Sequence, residues 1–262
     1  MVDTERAFAA RAKMVGWKQA FLEYFADSAI GFDGETSGSA KDQLRPLPDP
    51  PKDMQLLWEP RYGDAAGSGE LGYLTGPSTN INPARNNGTP RYGTYASVWK
   101  RQGDGSYKVV MDVGVTTPGP TTFAPGFTRA PLMPRYAGKD TPEAAARSLR
   151  EADAALTRAA LVNRAAAYRG RLVSGARLHL PNAQPLAGEG AVLAWLATQP
   201  PLSIGETRFA EAARSADLGY TWGAYAAPAA GSEAAQKGFY MRVWARGADG
   251  SWKVALDVLQ PQ

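Results

Sequence analysis

The chain carries a single histidine, His179, in the stretch ARLHLPN. One histidine excludes a two-histidine metal site and leaves one candidate base for a Ser-His-Asp triad. Strand alternation places Leu178 and Leu180 on one face and Arg177 with His179 on the other. An imidazole aimed into a pocket titrates near neutral pH and moves a proton, whereas one held in a core or on a surface is structural. Asp257 follows KVAL near the end of the chain, and Asp112 follows KVVM in an earlier stretch. Such an aspartate acts as acid or base in an apolar pocket, caps a turn, or pairs with arginine. His179 and Asp257 are the candidate acid/base residues. Glu59 with Arg61, and Glu206 with Arg208, lie two residues apart, so each pair projects to one strand face. That spacing suits a cross-strand charge network or a polar pocket floor. There is no cysteine, hence no disulfide, thiolate ligand or cysteine nucleophile. No Walker loop, dinucleotide fingerprint or acidic calcium loop occurs, so no cofactor or metal is expected.

The elements that must position these residues are written twice. Residues 93–113, GTYASVWKRQGDGSYKVVMDV, match 238–258, GFYMRVWARGADGSWKVALDV, at twelve positions with an offset of 145. Upstream, EPRYGDAAGSGELGYLTG at 59–76 matches ETRFAEAARSADLGYTWG at 206–223 with an offset of 147. The same offset aligns residues 11–29 with 158–176 by pattern alone, pairing Phe21 with Tyr168. A period of this length is too long for a solenoid unit and suits a whole domain. The spacing predicts one domain over 1–117, a Pro- and Gly-rich linker over 118–140, and a second domain over 141–262. Phe123, Phe127, Leu132 and Tyr136 suggest that the linker is partly packed.

Each copy opens on a helix. Thr141 is a good N-cap, Pro142 fits the first helical position, and Glu143 suits the helix dipole. The apolar stripe through Leu149, Ala152 and Leu156 predicts a helix to about Val173 that stops near Gly175. Its counterpart runs from about Thr4 to Tyr24 or Phe25. A short strand follows (29–32 and 177–180), then a short helix, GEGAVLAWL at 188–196, whose first-copy equivalent is degenerate. Two strands joined by a small-residue turn come next. The last hairpin turns at Asp104-Gly105 and Asp249-Gly250, a strong hairpin signal between alternating strands. Alternation puts Tyr107, Val109 and Met111 on one face and Lys108, Val110 and Asp112 on the other. Helices gathered before an antiparallel sheet predict an α+β fold, here two tandem cone-shaped domains, each a long helix packed on a curved sheet.

This order, with GEGAVLAWL after the first strand, ADLGYTWGAY in the middle and VWARGADGSWKVALDV at the end, resembles the nuclear-transport-factor-like superfamily of α+β cones. The first-copy counterparts GELGYLTG and VWKRQGDGSYKVVMDV agree. Ketosteroid isomerase, scytalone dehydratase and SnoaL-type cyclases belong to that superfamily, which also hosts binders and interaction modules. The resemblance implies a small-molecule pocket inside the cone. It also implies sheet-to-sheet pairing, which one chain with two copies can make internally as a pseudo-dimer. Isomerase chemistry of this kind needs a carboxylate base, a tyrosine and a protonated acid in one apolar pocket. Tyr24 and Tyr168 fall on the helices and Asp33 lies in a turn-like GFDGE, so the complete set is not matched in either copy.

Trp58, Tyr73, Trp99, Tyr168, Tyr220, Trp222 and Trp244 are the candidate pocket-lining aromatics, with a core role as the alternative. The net charge of +4 is spread along the chain without a Lys/Arg run, so no nucleic-acid partner is expected. No apolar run approaches the length of a membrane span. Charge begins at the third residue, so no leader is legible, and cytoplasm or export after leader removal both stay open. Two readings follow. One is a non-catalytic module that binds a small apolar ligand or associates through its sheets. The other is an isomerase-, cyclase- or dehydratase-like enzyme using general acid/base catalysis in the second copy.

Overall fold

A computed structural model describes residues 1–34, 36–131, 133–229 and 234–262. Leu132, named above for the linker, lies outside the described residues. The chain divides into two compact units. The first comprises Met1–Asp64, Gly72–Arg129 and Asn182–Gln184, and the second Ala65–Leu71, Ala130–Pro181 and Pro185–Gln262.

The first unit opens with α1 (Val2–Val15) and α2 (Trp17–Tyr24), followed by strands β1 (Phe25–Asp33) and β2 (Thr36–Ser39) and a short helix α3 (Ala40–Leu44). The strands β3 (Gln55–Trp58), β4 (Tyr62–Ala65), β5 (Leu71–Ile81), β6 (Arg91–Arg101), β7 (Tyr107–Thr117) and β8 (Thr128–Arg129) complete it. The sheet runs β2-β1-β7-β6-β5-β4-β8, with β3 also paired to β5. The long helix expected over residues 4–25 is broken at Gly16, whose φ of 84° is open to glycine and strained for other residues. The break lets α2 fold back, so that Phe8 stacks on Tyr24 with ring centroids 4.8 Å apart. Phe8, Ala12, Ala20, Phe25, Leu74, Trp99 and Val109 form the core between helices and sheet, and Phe127 packs against it from the linker.

The second unit repeats the plan with α4 (Pro142–Ala160), α5 (Arg164–Tyr168), β9 (Leu172–His179), β10 (Leu186–Ala187) and α6 (Glu189–Ala197). Its meander is β11 (Ile204–Ala212), β12 (Leu218–Ala227), β13 (Gln236–Arg246) and β14 (Trp252–Pro261), in the sheet order β10-β9-β14-β13-β12-β11. Thr141 caps α4 as expected, accepting the Ala144 amide at 3.3 Å. The helix ends at Ala160 rather than near Val173. Asn163 then starts α5 by accepting the Ala166 amide at 2.9 Å. The backbone must be extended from Leu172 onward because Leu172 pairs with Val254. Tyr136 covers Arg246, whose guanidinium carbon lies 3.8 Å from the ring centroid. The two units are thus α+β domains of one type, each with helices packed on one face of a mainly antiparallel sheet.

Two shared details place the interior side chains. The Asp-Gly hairpins are built alike: Asp104 accepts the Ser106 amide at 2.9 Å, and Asp249 accepts the Ser251 amide at 3.0 Å. Both hairpins also carry a β-bulge. In the first, Val98 pairs with Met111 but Trp99 with Val109; in the second, Val243 pairs with Leu256 but Trp244 with Val254. Val110 is the extra residue. It breaks the simple alternation expected for 107–112 and puts Val109 on the helix-facing side together with Asp112.

Candidate functional site

The helix-facing side of each sheet carries acids, and the two domains treat them differently. On α1 the buried positions are Glu5, Phe8, Ala9 and Ala12. On α4 Asp153, Leu156, Thr157 and Ala160 are buried, each 148 residues later. Burial therefore shifts the helix register by one from the offset of 147 and makes Glu5 the counterpart of Asp153. On the strands, Ser97 pairs with Asp112 as Arg242 pairs with Asp257. Two interior acids are common to both domains. The arginine between them is present in the second only.

In the second domain Arg242 is 1% exposed. Its Nη1 donates to Asp153 Oδ1 and to Thr157 Oγ1, both at 2.9 Å, and its Nε donates to Asp257 Oδ2 at 2.9 Å. The guanidinium carbon lies 3.9 Å from the Tyr240 ring centroid. The Tyr240 hydroxyl donates to Asp153 at 2.6 Å, Thr221 does so at 3.0 Å, and Tyr168 donates to Asp257. Trp244 in turn donates to Thr221 at 2.9 Å. Burial by itself lowers the pKa of Arg242, but the fields of Asp257, Tyr168 and Asp153 override it and raise the pKa, so the cation persists inside. In this interior both acids are thus ion-paired to one arginine.

In the first domain Ser97 replaces that arginine and Phe21 stands where Tyr168 stands in the other copy. Glu5 is fully buried and accepts the indole N–H groups of Trp58 and Trp99, each at 2.7 Å. Asp112 accepts the Ser97 hydroxyl at 2.5 Å. Among the described residues neither acid is ion-paired. Burial and the field of Asp112 push Glu5 up to about 8, against the pull of its hydrogen bonds. Burial pushes Asp112 up to about 6. Beside them lies a cavity of about 110 Å³ lined by Phe8, Phe21, Leu56, Trp58, Ser78, Tyr95, Asp112 and Gly114. Tyr95 is 6% exposed and its hydroxyl has no hydrogen-bond partner among the described residues. A buried hydroxyl left unbonded costs about 1–3 kcal/mol unless water or a ligand meets it. Chemically, the cavity offers apolar walls, the Tyr95 and Ser78 side chains and one acid, Asp112, with Glu5 held behind the Trp58 wall.

The candidate residues from the sequence are distributed as follows. Trp58 lines the cavity, and Trp99 holds Glu5 beside it. Tyr168 and Trp244 belong to the second domain's charged interior. Leu74 faces the first core and Thr221 faces Asp153, so alternation turns Tyr73, Tyr220 and Trp222 to the opposite sheet faces. There Tyr220 donates to Glu211 at 2.9 Å and Trp222 stacks on Phe209. Asp257 pairs with Leu178 and the next residue, Val258, with His179, so Asp257 and His179 project from opposite faces of the sheet. His179 is 1% exposed, and burial together with Arg177 holds its pKa down to about 3, so it is neutral at pH 7. Glu206 pairs with Arg208 at 3.0 Å, whereas Glu59 pairs with Arg6 at 3.3 Å. Among the described residues no group of three or more His, Cys, Asp or Glu could hold a metal ion, and no helix is long and apolar enough to cross a membrane.

Glu5, Asp153 and the Ser97/Arg242 exchange were not among the sequence-derived site residues. Two signals point to them. An acid inside the i, i+3, i+4, i+7 stripe of a core helix is out of place for a surface charge. A serine-to-arginine exchange inside two otherwise matching strands marks a difference in the interior.

No protein-family model and no curated protein matches this chain. Similar solved structures include an NTF2-like protein of unknown function from Pseudomonas putida KT2440, at 15% identity over 45% of this chain and 87% of that one, with a TM-score of 0.37. Another is a ketosteroid isomerase-like protein from Erwinia carotovora atroseptica SCRI1043, at 14% identity over 41% of this chain and 90% of that one, with a TM-score of 0.31. A third is an NTF2-like protein involved in plasmid conjugation, at 9% identity over 94% of this chain and 86% of that one, with a TM-score of 0.26. These three structures carry NTF2-like or ketosteroid isomerase-like names.

Proposed function

We propose that the chain is a non-catalytic module whose first domain binds a small, largely apolar ligand in the cavity beside Glu5 and Asp112. The observation that carries this reading is the unbonded Tyr95 hydroxyl in the same apolar wall as the Asp112 carboxyl. Apolar walls with a few convergent polar groups are the usual make-up of a small-molecule site. The second domain serves as scaffold, since Arg242 occupies the equivalent interior. The domain-length repeat supports assigning residues 1–117 and 141–262 to the two copies, with 118–140 between them. It also supports their pairing as an intramolecular pseudo-dimer, for which sedimentation should find one chain per particle; a two-chain particle counts against it. The binding test is NMR titration with neutral ligands of a few heavy atoms, phenol and cyclohexanone. The indole N–H signals of Trp58 and Trp99 should shift saturably while that of Trp244 stays still. Failure of both ligands to move Trp58 overturns the reading.

A second reading, general acid/base catalysis, is favoured by one observation. Glu5 and Asp112, at about 8 and about 6, bracket neutral pH in one buried site. The sequence placed such chemistry on His179 and Asp257, where the neutral imidazole and the arginine-paired carboxylate give it less support. Turnover lost in Asp112→Asn and kept in His179→Ala would assign it to the first domain.

A further inference from the structure

The two domains are each other's control experiment. In the second, a guanidinium lies between the carboxylates of Asp153 and Asp257, with a tyrosine ring against its face. In the first, the counterparts Glu5, Asp112 and Tyr95 are all present, but the cation that completes the arrangement is Ser97. The space beside these groups is the cavity of about 110 Å³, several times what one water needs. Its walls, Phe8, Phe21, Trp58 and Tyr95, are aromatic faces of the kind that attract a desolvated cation. Tyr95 lines this space and its buried hydroxyl has no partner among the described residues, whereas Tyr240 donates its own to Asp153 at 2.6 Å.

We propose that the first-domain cavity binds a small guanidinium compound, whose head group meets Asp112 and Tyr95 as Arg242 meets Asp257 and Tyr240 in the second domain. This inference rests on the binding reading above and specifies its ligand. A bound guanidinium would donate to Asp112 in charge-assisted hydrogen bonds within the field of Glu5, lie against the Tyr95 and Trp58 rings, and leave its alkyl tail to Phe8, Phe21 and Leu56. It would also compensate a pair of buried acids that, among the described residues, has no ion-pair partner.

The test compares methylguanidine with methylurea, a neutral molecule of nearly the same shape, on the full chain at pH 8. Binding is read by calorimetry and by the indole N–H signals of Trp58 and Trp99. Methylguanidine should bind at least tenfold more tightly than methylurea, and Asp112→Asn should remove that preference. Ser97→Arg should abolish methylguanidine binding by supplying the guanidinium internally. Because Ser97→Arg can fail to fold, Asp112→Asn and the two-ligand comparison on the unaltered chain stand without it. Equal binding of the two ligands overturns the cation assignment and leaves the pocket reading standing. Silence with methylguanidine, methylurea, phenol and cyclohexanone overturns both.

Discussion

Arg242→Ser should turn the second domain's interior into a copy of the first. The substitution removes three hydrogen bonds, to Asp153, Thr157 and Asp257, each at 2.9 Å. It leaves two acids, exposed by 1% or less, without their hydrogen-bonded cation, although the field of the buried Arg164 still reaches Asp257. Removing one partner of a buried ion pair costs roughly 3–5 kcal/mol, most of it the burial of the orphaned charge. Here Asp153 keeps hydrogen bonds from Thr207, Thr221 and Tyr240, and Asp257 keeps that from Tyr168. The expected loss at pH 7 is therefore at the lower end, about 3 kcal/mol. Stranded carboxylates escape the penalty by taking up protons, so the deficit should shrink to about 1–2 kcal/mol at pH 4, where only packing and neutral hydrogen bonds are missing. Hydrogen exchange of the β13 amides in the full chain reads the second domain directly. A loss below about 1 kcal/mol at pH 7, or one that does not change with pH, would refute the claim that Arg242 is there to neutralise buried acids.

The other predictions concern the first domain. Glu5 is raised from the ordinary 4.5 to about 8, so below 4.5 the folded and unfolded chains are both protonated. Between those values the unfolded chain ionises while the fold retains the proton. Stability should thus fall as pH rises toward 8, by up to ~1.4 kcal/mol per pH unit. Weakening protection of the β6 amides over that range is the readout, and constant protection argues against it. Trp99→Phe removes a hydrogen bond that favours the carboxylate. It should raise the Glu5 midpoint further and cost about 1–3 kcal/mol; an unchanged midpoint in an NMR titration would count against that role. Arg11 grips Glu23 at 2.7 Å on the surface and helps hold its pKa down to about 2. Arg11→Ala should nevertheless leave the thermal unfolding midpoint nearly unchanged, since exposed pairs are screened; a clear drop in the midpoint would count against this.

The repeat made most of the fold legible. Both Asp-Gly hairpins, the Thr141 cap and the order of elements follow from local signals that the structure keeps. The helix ends did not. Gly16 and Asn163 interrupt helices whose apolar stripes continue past them, because the chain must turn back to let Phe25 and Leu172 pair with the last strands. The faces of 107–112 were misassigned because a bulge has no fixed residue signature, and one extra residue inverts the alternation. The site was legible only in part. Trp58 and Trp99 were named as aromatics, but nothing in their spacing shows that their N–H groups meet on Glu5 from 53 and 94 residues away. The Ser97/Arg242 exchange was visible in the aligned strands. Its meaning depended on which acids face it, and that is a tertiary fact. His179 and Asp257 share a region of sequence but not a sheet face, a distinction set by the parallel register of β9 and β14.

The first domain buries two acids beside an apolar cavity, with no cation paired to them among the described residues. Carbon-13 carboxyl titration of the full chain tests it most directly, with Glu5→Gln and Asp112→Asn used to assign the two signals. Midpoints of about 8 for Glu5 and about 6 for Asp112 are expected. Both residues titrating near 4, as exposed carboxylates do, would contradict it.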